Sequence, residues 1–134
     1  PHIEIPTMEA RKILKSSVPI TDAIKQWGNV GGLVAGFCTQ NTRLIGRSME
    51  DFIIEPVRAM LIPGFYDMRR ISIENGAFGF GISGSGPAVF AMCENEKSAE
   101  NIAQLLAGHL KEKGIDSNQY ISAIHDTGAE AVSN

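Results

Sequence analysis

Residues 79–93 of the chain are Gly79-Phe80-Gly81-Ile82-Ser83-Gly84-Ser85-Gly86-Pro87-Ala88-Val89-Phe90-Ala91-Met92-Cys93. Two short apolar runs, 79–83 and 88–93, flank a small-residue turn, and runs of this kind predict β-strands. The connection is too short for a crossover helix, so we expect the two strands to be antiparallel neighbours. The second run is almost entirely apolar, which is typical of a strand that is covered on both faces.

The turn between these strands contains a Gly-x-Gly pattern, but it does not fit the common nucleotide-binding loops. A dinucleotide fingerprint requires a helix after the glycines, whereas Pro87 and a strand follow here. A Walker loop requires a lysine after the last glycine, and none is present. The glycines can adopt positive φ and bring backbone N–H groups close to another surface. On composition alone, a plain hairpin turn is the favoured interpretation.

Outward from this hairpin, periodicity and breaker residues predict helices before it and one helix after it. The predicted helices cover residues 7–15, 20–38, 43–52, 55–61, 65–74 and 96–113. A last apolar run at 120–124 predicts a third strand. The helix at 96–113 can bring the chain back so that this strand lies in the same sheet. We therefore expect an α+β fold with helices packed on one face of a small antiparallel sheet, and we expect the tail after Asp126 to fray.

The helix at 20–38 has the clearest periodicity. Its apolar residues recur at three- and four-residue spacing, which predicts one buried face that includes Trp27. These residues are Ile20, Ala23, Ile24, Trp27, Val30, Val34, Ala35 and Cys38. Glycines at 28, 31, 32 and 36 each lower helix propensity by up to about 1 kcal/mol. Something must therefore pack closely against this backbone, and a neighbouring helix is favoured over a ligand.

Composition bounds the class of protein. The 134 residues are 43% hydrophobic and 20% charged, with a formal charge of −3, which is ordinary for one globular domain. No run of Lys and Arg exceeds two residues, which argues against a nucleic-acid or membrane-surface partner. Cys38 and Cys93 are predicted to be free, reduced, buried thiols of a cytoplasmic protein, with a disulfide or metal pair as the less favoured alternative. The opening segment, 1–6, has the character of a strand exit, so we expect residues 1–134 to be one domain excised from a longer protein.

Three segments carry a resemblance to a known family. Residues 81–91, with their lead-in at 74–79, resemble the third conserved motif of the kinases of galactose, homoserine, mevalonate and phosphomevalonate. Residues 1–11, with the pattern Thr-x-x-Ala-Arg, are similar to the entry into the C-terminal domain of homoserine kinases. Residues 54–65 resemble the Glu-Pro-x-Arg-x-x-Leu-Ile-Pro helix of the same enzymes. The similarity spans roughly residues 1–93.

This resemblance implies a ferredoxin-like C-terminal domain and a set of site residues. It places Thr7, Arg11 and Arg58 at the amino-acid substrate. It places a glycine-rich loop at the cleft, made of Ser83, Gly84, Ser85 and Gly86. The chemistry is compatible, because an arginine binds a carboxylate through a planar two-donor fork, and residues four apart on a helix share a face.

The resemblance also implies that the nucleotide site lies elsewhere. ATP, Mg²⁺ and the catalytic residues are expected in an N-terminal lobe outside this chain, so neither a catalytic residue nor a metal ligand is expected here. The parent enzyme would phosphorylate L-homoserine with ATP in threonine biosynthesis, and the isolated fragment is expected to be inactive. A homodimer is left open. Two alternatives remain, which are a sister kinase with another alcohol substrate, such as mevalonate, and a free-standing α+β module that binds an amino acid as a regulator.

Overall fold

The computed structural model of the protein describes residues 1–124, and it shows an α+β fold. Five helices and a 3₁₀ turn come first, a β-hairpin follows, and a 17-residue helix packs behind it. The elements in chain order are α1 (Thr7–Lys12), α2 (Ile20–Cys38), α3 (Thr42–Ser48), α4 (Glu55–Arg58), a 3₁₀ turn (Ala59–Leu61), α5 (Phe65–Glu74), β1 (Ala77–Ile82), β2 (Val89–Cys93) and α6 (Glu96–Glu112). No helix in this part of the chain is both long enough and apolar enough to span a bilayer.

The hairpin predicted from residues 79–93 is present. Strands β1 and β2 are antiparallel, with Ile82 opposite Val89 and Phe80 opposite Ala91. One irregularity in the register falls between Ala77 and Gly79. The glycine-rich turn connects the two strands at the end of the hairpin where Ile82 and Val89 are paired.

The core lies between this hairpin and the helices α5 and α6. Phe65, Met68 and Phe80 are almost completely buried, and the rings of Phe65 and Phe80 lie 5.4 Å apart between centroids. Leu110 of α6 closes the same cluster. Helices packed against a small antiparallel sheet make this an α+β fold, so the predicted fold class is confirmed.

The predicted third strand at 120–124 is wrong. Within the described residues the sheet has two strands, and the 120–124 segment is exposed, with Tyr120 at 89%. A groove of about 690 Å³ separates this segment from β2, so no backbone ladder joins them. An apolar run indicates the capacity to form a strand, but pairing requires a partner strand within hydrogen-bonding distance, and that is not encoded in the run itself.

Several helix boundaries also differ from the prediction. The first helix ends at Lys12, and the third is limited to Thr42–Ser48. The carboxylate of Asp51 accepts hydrogen bonds from the backbone N–H groups of Ile53 and Ile54, at 2.8 and 2.9 Å. These bonds favour a turn over continued helix, because an aspartate side chain competes with the helical backbone acceptors. The predicted 55–61 helix is divided into α4 and the 3₁₀ turn. The tail after Asp126 lies outside the described residues.

The buried face predicted for α2 is also wrong. Trp27 is 66% exposed and Val34 is 60% exposed, and Cys38 lies at the surface. The inner face instead contains Gly32 and Gly36, which pack against Ser48 and Ile45 of α3. A Cβ on Gly36 would lie 2.8 Å from Cγ1 of Ile45, so this approach requires glycine. The expectation that a neighbouring helix explains the glycines is correct for these two positions, and the large apolar residues point away from it.

Candidate functional site

Helix α4 lies beside the hairpin turn. Asp51 fixes its entry through the two backbone bonds described above, and Pro56 occupies its first turn, where a missing N–H costs nothing. The backbone N–H groups of Val57 and Arg58 bond to the carbonyl of Ile54. The backbone position from which the last side chain of α4 extends is therefore fixed.

That side chain is Arg58, and it reaches the glycine-rich loop. Its Nη1 donates a hydrogen bond of 2.8 Å to the carbonyl oxygen of Gly84. Its Nε is buried and has no hydrogen-bond partner among the described residues. An arginine has five N–H donors, so this guanidinium holds the loop and still has donors for another acceptor.

The loop itself depends on glycine geometry. Gly84 and Gly86 have φ angles of 61° and 81°, a region that residues with a Cβ rarely adopt. The Gly86 N–H bonds to the carbonyl of Ser83 at 3.1 Å, and the Ser83 N–H bonds to the carbonyl of Ala88 at 2.8 Å. The Gly86–Pro87 peptide bond is cis. These bonds close the turn and leave Gly84 at its outer tip.

Glu55, one turn before Arg58, is a buried charged residue of the site. It is 6% exposed, and its Oε1 accepts a 2.9 Å hydrogen bond from Nη1 of Arg69 in α5. Burial raises the pKa of the Glu55 carboxyl, and the Arg69 guanidinium opposes that rise only in part. The pair ties α4 to α5, and α4 in turn carries Arg58.

A cavity of about 230 Å³ lies between α2, α4 and the hairpin. Arg58 and Gly84 line it, together with polar residues of α2 and of the loop between α3 and α4. Two of those polar residues already have partners. Asn29 donates to the carbonyl of Glu50 at 2.7 Å, and Gln26 accepts from the N–H of Phe52 at 3.0 Å. These two bonds hold α2 and the loop between α3 and α4 together as a wall of the cavity. The Nε–H of Arg58, in contrast, has no partner among the described residues.

The other predicted substrate residues are not joined to this corner by any described contact. Arg11 is exposed in the last turn of α1, and its side chain makes no hydrogen bond or ion pair among the described residues. Thr7 is the first residue of α1, and the structure describes its backbone only. The structure therefore brings Arg58 together with the loop at 83–86. The roles of Thr7, Arg11, Arg58 and the loop in substrate binding remain predictions.

Two features of the site were not anticipated. The Glu55–Arg69 pair joins residues 14 positions apart, and no sequence pattern links them. The turn that Asp51 stabilises ahead of α4 had a visible signal, an aspartate directly ahead of an apolar run, because an aspartate side chain readily bonds backbone N–H groups two and three residues later. Within residues 1–124, no group of three or more His, Cys, Asp or Glu side chains could hold a metal ion.

Comparison with known proteins gives a consistent result. Residues 33–112 match the family described as GHMP kinases C terminal. The chain is 51% identical over 106 residues to a homoserine kinase of Chloroherpeton thalassium, covering 79% of this chain and 33% of that protein. It is 42% identical over 134 residues to a homoserine kinase of Chlorobium phaeobacteroides, covering 98% of this chain and 42% of the relative.

A solved structure extends this similarity to three dimensions. The crystal structure of homoserine kinase from Cytophaga hutchinsonii superimposes with a TM-score of 0.90 at 45% identity, over 92% of this chain and 39% of that one. The chain thus spans about two fifths of the length of the relatives it matches over most of its own length. The family match covers more than half of the chain, and the chain belongs to the GHMP kinases as a homologue of the C-terminal domain of homoserine kinases.

Proposed function

We propose that this domain binds the amino-acid substrate of a homoserine kinase, which transfers the terminal phosphoryl group of ATP to the side-chain hydroxyl of L-homoserine. The observation that carries the proposal is the contact between Arg58 and the carbonyl of Gly84. Arg58 is one of the three residues that the family resemblance assigns to the substrate, and Gly84 is in the loop that the resemblance assigns to the cleft. One hydrogen bond therefore joins the two halves of the predicted site.

The chemistry of Arg58 suits a carboxylate. The buried Nε–H needs an acceptor, because an unsatisfied buried donor costs about 1–3 kcal/mol. A carboxylate offers two oxygens in one plane, which matches the geometry of the guanidinium. Homoserine carries such a carboxylate, whereas a simple alcohol does not. The exposed Arg11 of α1 would supply a second cation.

Phosphoryl transfer also requires a phosphate-binding loop, a metal ion and an acceptor hydroxyl in line with the phosphorus. The described residues contribute to positioning the acceptor, and the loop at 83–86 would form one wall of the phosphate site. Bound ATP and Mg²⁺ would supply the phosphoryl group and neutralise its charge. Their ligands would come from the larger part of the full-length protein, which this chain does not cover.

The test uses the full-length enzyme with Arg11→Ala and Arg58→Ala, and with the exposed Arg47→Ala as a control. Loss of a charge-assisted hydrogen bond of about 1.5–3 kcal/mol should raise KM for homoserine roughly ten- to a hundredfold, with little change in KM for ATP. Arg58→Lys should restore only part of the affinity, because a point charge lacks the planar fork. Arg47→Ala should behave as wild type.

A second acceptor separates binding from structure. With an alcohol that lacks the carboxylate, wild type should react poorly, and Arg11→Ala should lose little more. Arg58→Ala should lose more than Arg11→Ala on this acceptor, because it also releases Gly84. Equal losses on both acceptors for Arg11→Ala would contradict a role in carboxylate binding and weaken the case for homoserine as substrate.

A further inference from the structure

Arg58 has a potential competitor for its guanidinium on its own helix. Glu55 lies three residues earlier in α4, and side chains with this spacing are neighbours, with Cβ atoms about 5–6 Å apart. Both residues line the cavity of about 230 Å³ beside the hairpin turn. An acid three residues before an arginine commonly forms an ion pair along the helix. In α5 the Asp67–Arg70 pair has this spacing, with 3.7 Å between its charged atoms.

Glu55 and Arg58 do not form that pair. The Oε1 of Glu55 accepts its 2.9 Å hydrogen bond from Nη1 of Arg69, which reaches across from α5. Nη1 of Arg58 donates instead to the carbonyl of Gly84, at 2.8 Å. The Nε of Arg58 is buried and has no hydrogen-bond partner in the described part of the chain, so the Glu55 carboxylate does not reach it. The acid of α4 is thus held by an arginine from another helix.

The second oxygen of Glu55 faces the strand that leads into the turn. Its Oε2 lies 3.7 Å from the position that a Cβ on Gly81 would occupy. Gly81 precedes Gly84 by three residues, so the carboxylate of Glu55 and the guanidinium of Arg58 approach the same stretch of the hairpin. A change of side-chain rotamer alone can bring a glutamate onto a residue of this helical spacing.

A released Glu55 carboxylate would be strongly attracted to Arg58. Glu55 is 6% exposed, and a buried carboxylate that loses its partner is costly. The buried Nε–H of Arg58 also lacks an acceptor, which carries a cost of its own. One ion pair through Nε would satisfy both groups, and Nη1 can remain on Gly84. That pair would occupy the donor that a substrate carboxylate needs.

The other acids that line the cavity are weaker competitors. These acids are Glu50 and Asp51. The Asp51 carboxylate already accepts two backbone N–H groups ahead of α4. Glu50 is exposed to solvent, where an ion pair contributes little. Glu55 is therefore the acid whose partner decides whether Arg58 stays free.

We propose that Arg69 is a positioning residue for substrate binding, which holds Glu55 against α5 and so keeps the guanidinium of Arg58 available for the carboxylate of the substrate. This inference rests on the proposed function, because it requires Arg58 to bind a carboxylate. It gives the buried Glu55–Arg69 pair a role beyond stability, which well-packed apolar side chains often supply equally well. Arg69 acts on the substrate only through Glu55 and Arg58.

The first experiment measures KM for homoserine in the full-length enzyme. It is run at about pH 8, because burial raises the pKa of Glu55 and the test needs the ionised carboxylate. Arg69→Met should raise KM about tenfold and change kcat by less than about threefold, since the substrate must displace Glu55 from Arg58. Arg70→Met is the matched control on the same helix, because Arg70 forms its ion pairs at the surface, and it should leave KM unchanged.

Two comparisons separate this role from a purely structural one. Glu55→Gln in the Arg69→Met background removes the competing charge, so KM for homoserine should return to within about threefold of wild type. With an acceptor alcohol that lacks the carboxylate, Arg69→Met should react as wild type does, because this acceptor does not use the free donor of Arg58. A structural defect in α4 would slow the reaction with both acceptors. If Arg69→Met does not fold, Arg69→Gln, which keeps one donor for Glu55, replaces it in each comparison.

A crystal structure of the full-length Arg69→Met enzyme tests the geometry without any substrate. It should show the Glu55 carboxylate within hydrogen-bond distance of Nε of Arg58. A Glu55 side chain turned away from Arg58 would overturn the proposal. A wild-type KM for homoserine in Arg69→Met, no recovery in the double variant, or equal losses with both acceptors would overturn it as well. Failure of the proposed function is a different result, in which Arg58→Ala leaves KM for homoserine unchanged, and the crystal structure would still decide the position of Glu55.

Discussion

Two glycines of this domain, Gly46 and Gly84, are required for opposite reasons. Gly46 lies in α3, where the helix rests against the carbonyl oxygen of Phe78 in β1 and leaves no room for a Cβ. Gly84 lies at the tip of the hairpin turn, where a Cβ would meet nothing within 4 Å. Its constraint is its φ of 61°. The first glycine is needed for space, and the second for its backbone conformation.

The difference separates fold from function. A glycine that allows two elements to touch contributes to stability directly, because its replacement forces them apart. A glycine held at positive φ in open space stabilises no packing contact of its own. Positive φ is ordinary for glycine in a turn, and Gly114 at the end of α6 has it as well. What distinguishes Gly84 is the hydrogen bond that its carbonyl accepts from Arg58. The α3–β1 contact therefore belongs to the scaffold, whereas the turn at 83–86 belongs to the site that we propose.

Replacing Gly46, and so disrupting the α3–β1 contact, should have the largest effect on stability. Gly46→Val places two methyl groups against the Phe78 carbonyl, which belongs to the sheet and cannot move without disrupting β1. We expect a loss of about 3 kcal/mol or more in the free energy of unfolding, or failure to fold, measured by urea denaturation. Gly108→Val is the control for helix propensity, because its surroundings are open. Equal stability of the two variants would show that α3 does not press against β1.

Replacing Gly84 in the hairpin turn should have a smaller effect on stability and a large effect on activity. Gly84→Val should cost about 1–2 kcal/mol of stability, from backbone strain alone. In the full-length enzyme it should also abolish most of kcat, because the added bulk and the altered backbone would keep the loop from approaching the nucleotide-binding part of the protein. Gly114→Val is the matched control, since Gly114 has a φ of 73°, lies in open space and is at the end of α6.

Similar stability losses with activity lost only in Gly84→Val would support the assignment of the turn to the site. A Gly84→Val enzyme with near-normal kcat would reduce the turn to a simple hairpin connection. Gly86→Val should also inactivate the enzyme, but it is a less clean probe. Its Cβ would approach Ile62 and Ile82 at 3.2 and 3.4 Å, so packing and conformation change together.

The smallest effect is expected at Glu55, which connects the two regions through α4. Its pKa is raised above the ordinary value of 4.5, mainly because the carboxyl is buried. The native state therefore binds the proton more tightly than the unfolded chain does. The contribution of Glu55 to stability is fully present below pH 4.5 and is lost as pH rises through the native pKa.

Glu55→Gln removes this titration, so the stability of the variant relative to wild type should increase across that window and then level off. Urea denaturation at a series of pH values measures the difference. If wild type instead gains on the variant as pH rises, the ion pair with Arg69 outweighs the cost of burial, and the raised pKa is contradicted.

The sequence predicted local structure better than orientation. The hairpin at 79–93 and the helices α2 and α5 follow from periodicity and turn residues that lie within each element. Which face of α2 is buried was not predictable in the same way. Its apolar stripe has the periodicity of a buried face, but the face that packs against α3 is formed by glycines. Arg58 and the loop were recognised from their motifs, but the hydrogen bond between Arg58 and Gly84 spans 26 residues and has no sequence signal.

The two-stranded sheet has a consequence for cooperativity. An isolated hairpin is at best marginally stable in water, and β2 has only β1 as a partner in the described part of the chain. The hairpin therefore owes its persistence to the side chains it buries, above all Phe80 beneath Phe65 of α5 and Leu110 of α6. Opening of either helix removes that support, so the strands and these two helices unfold as a single unit rather than as separate layers.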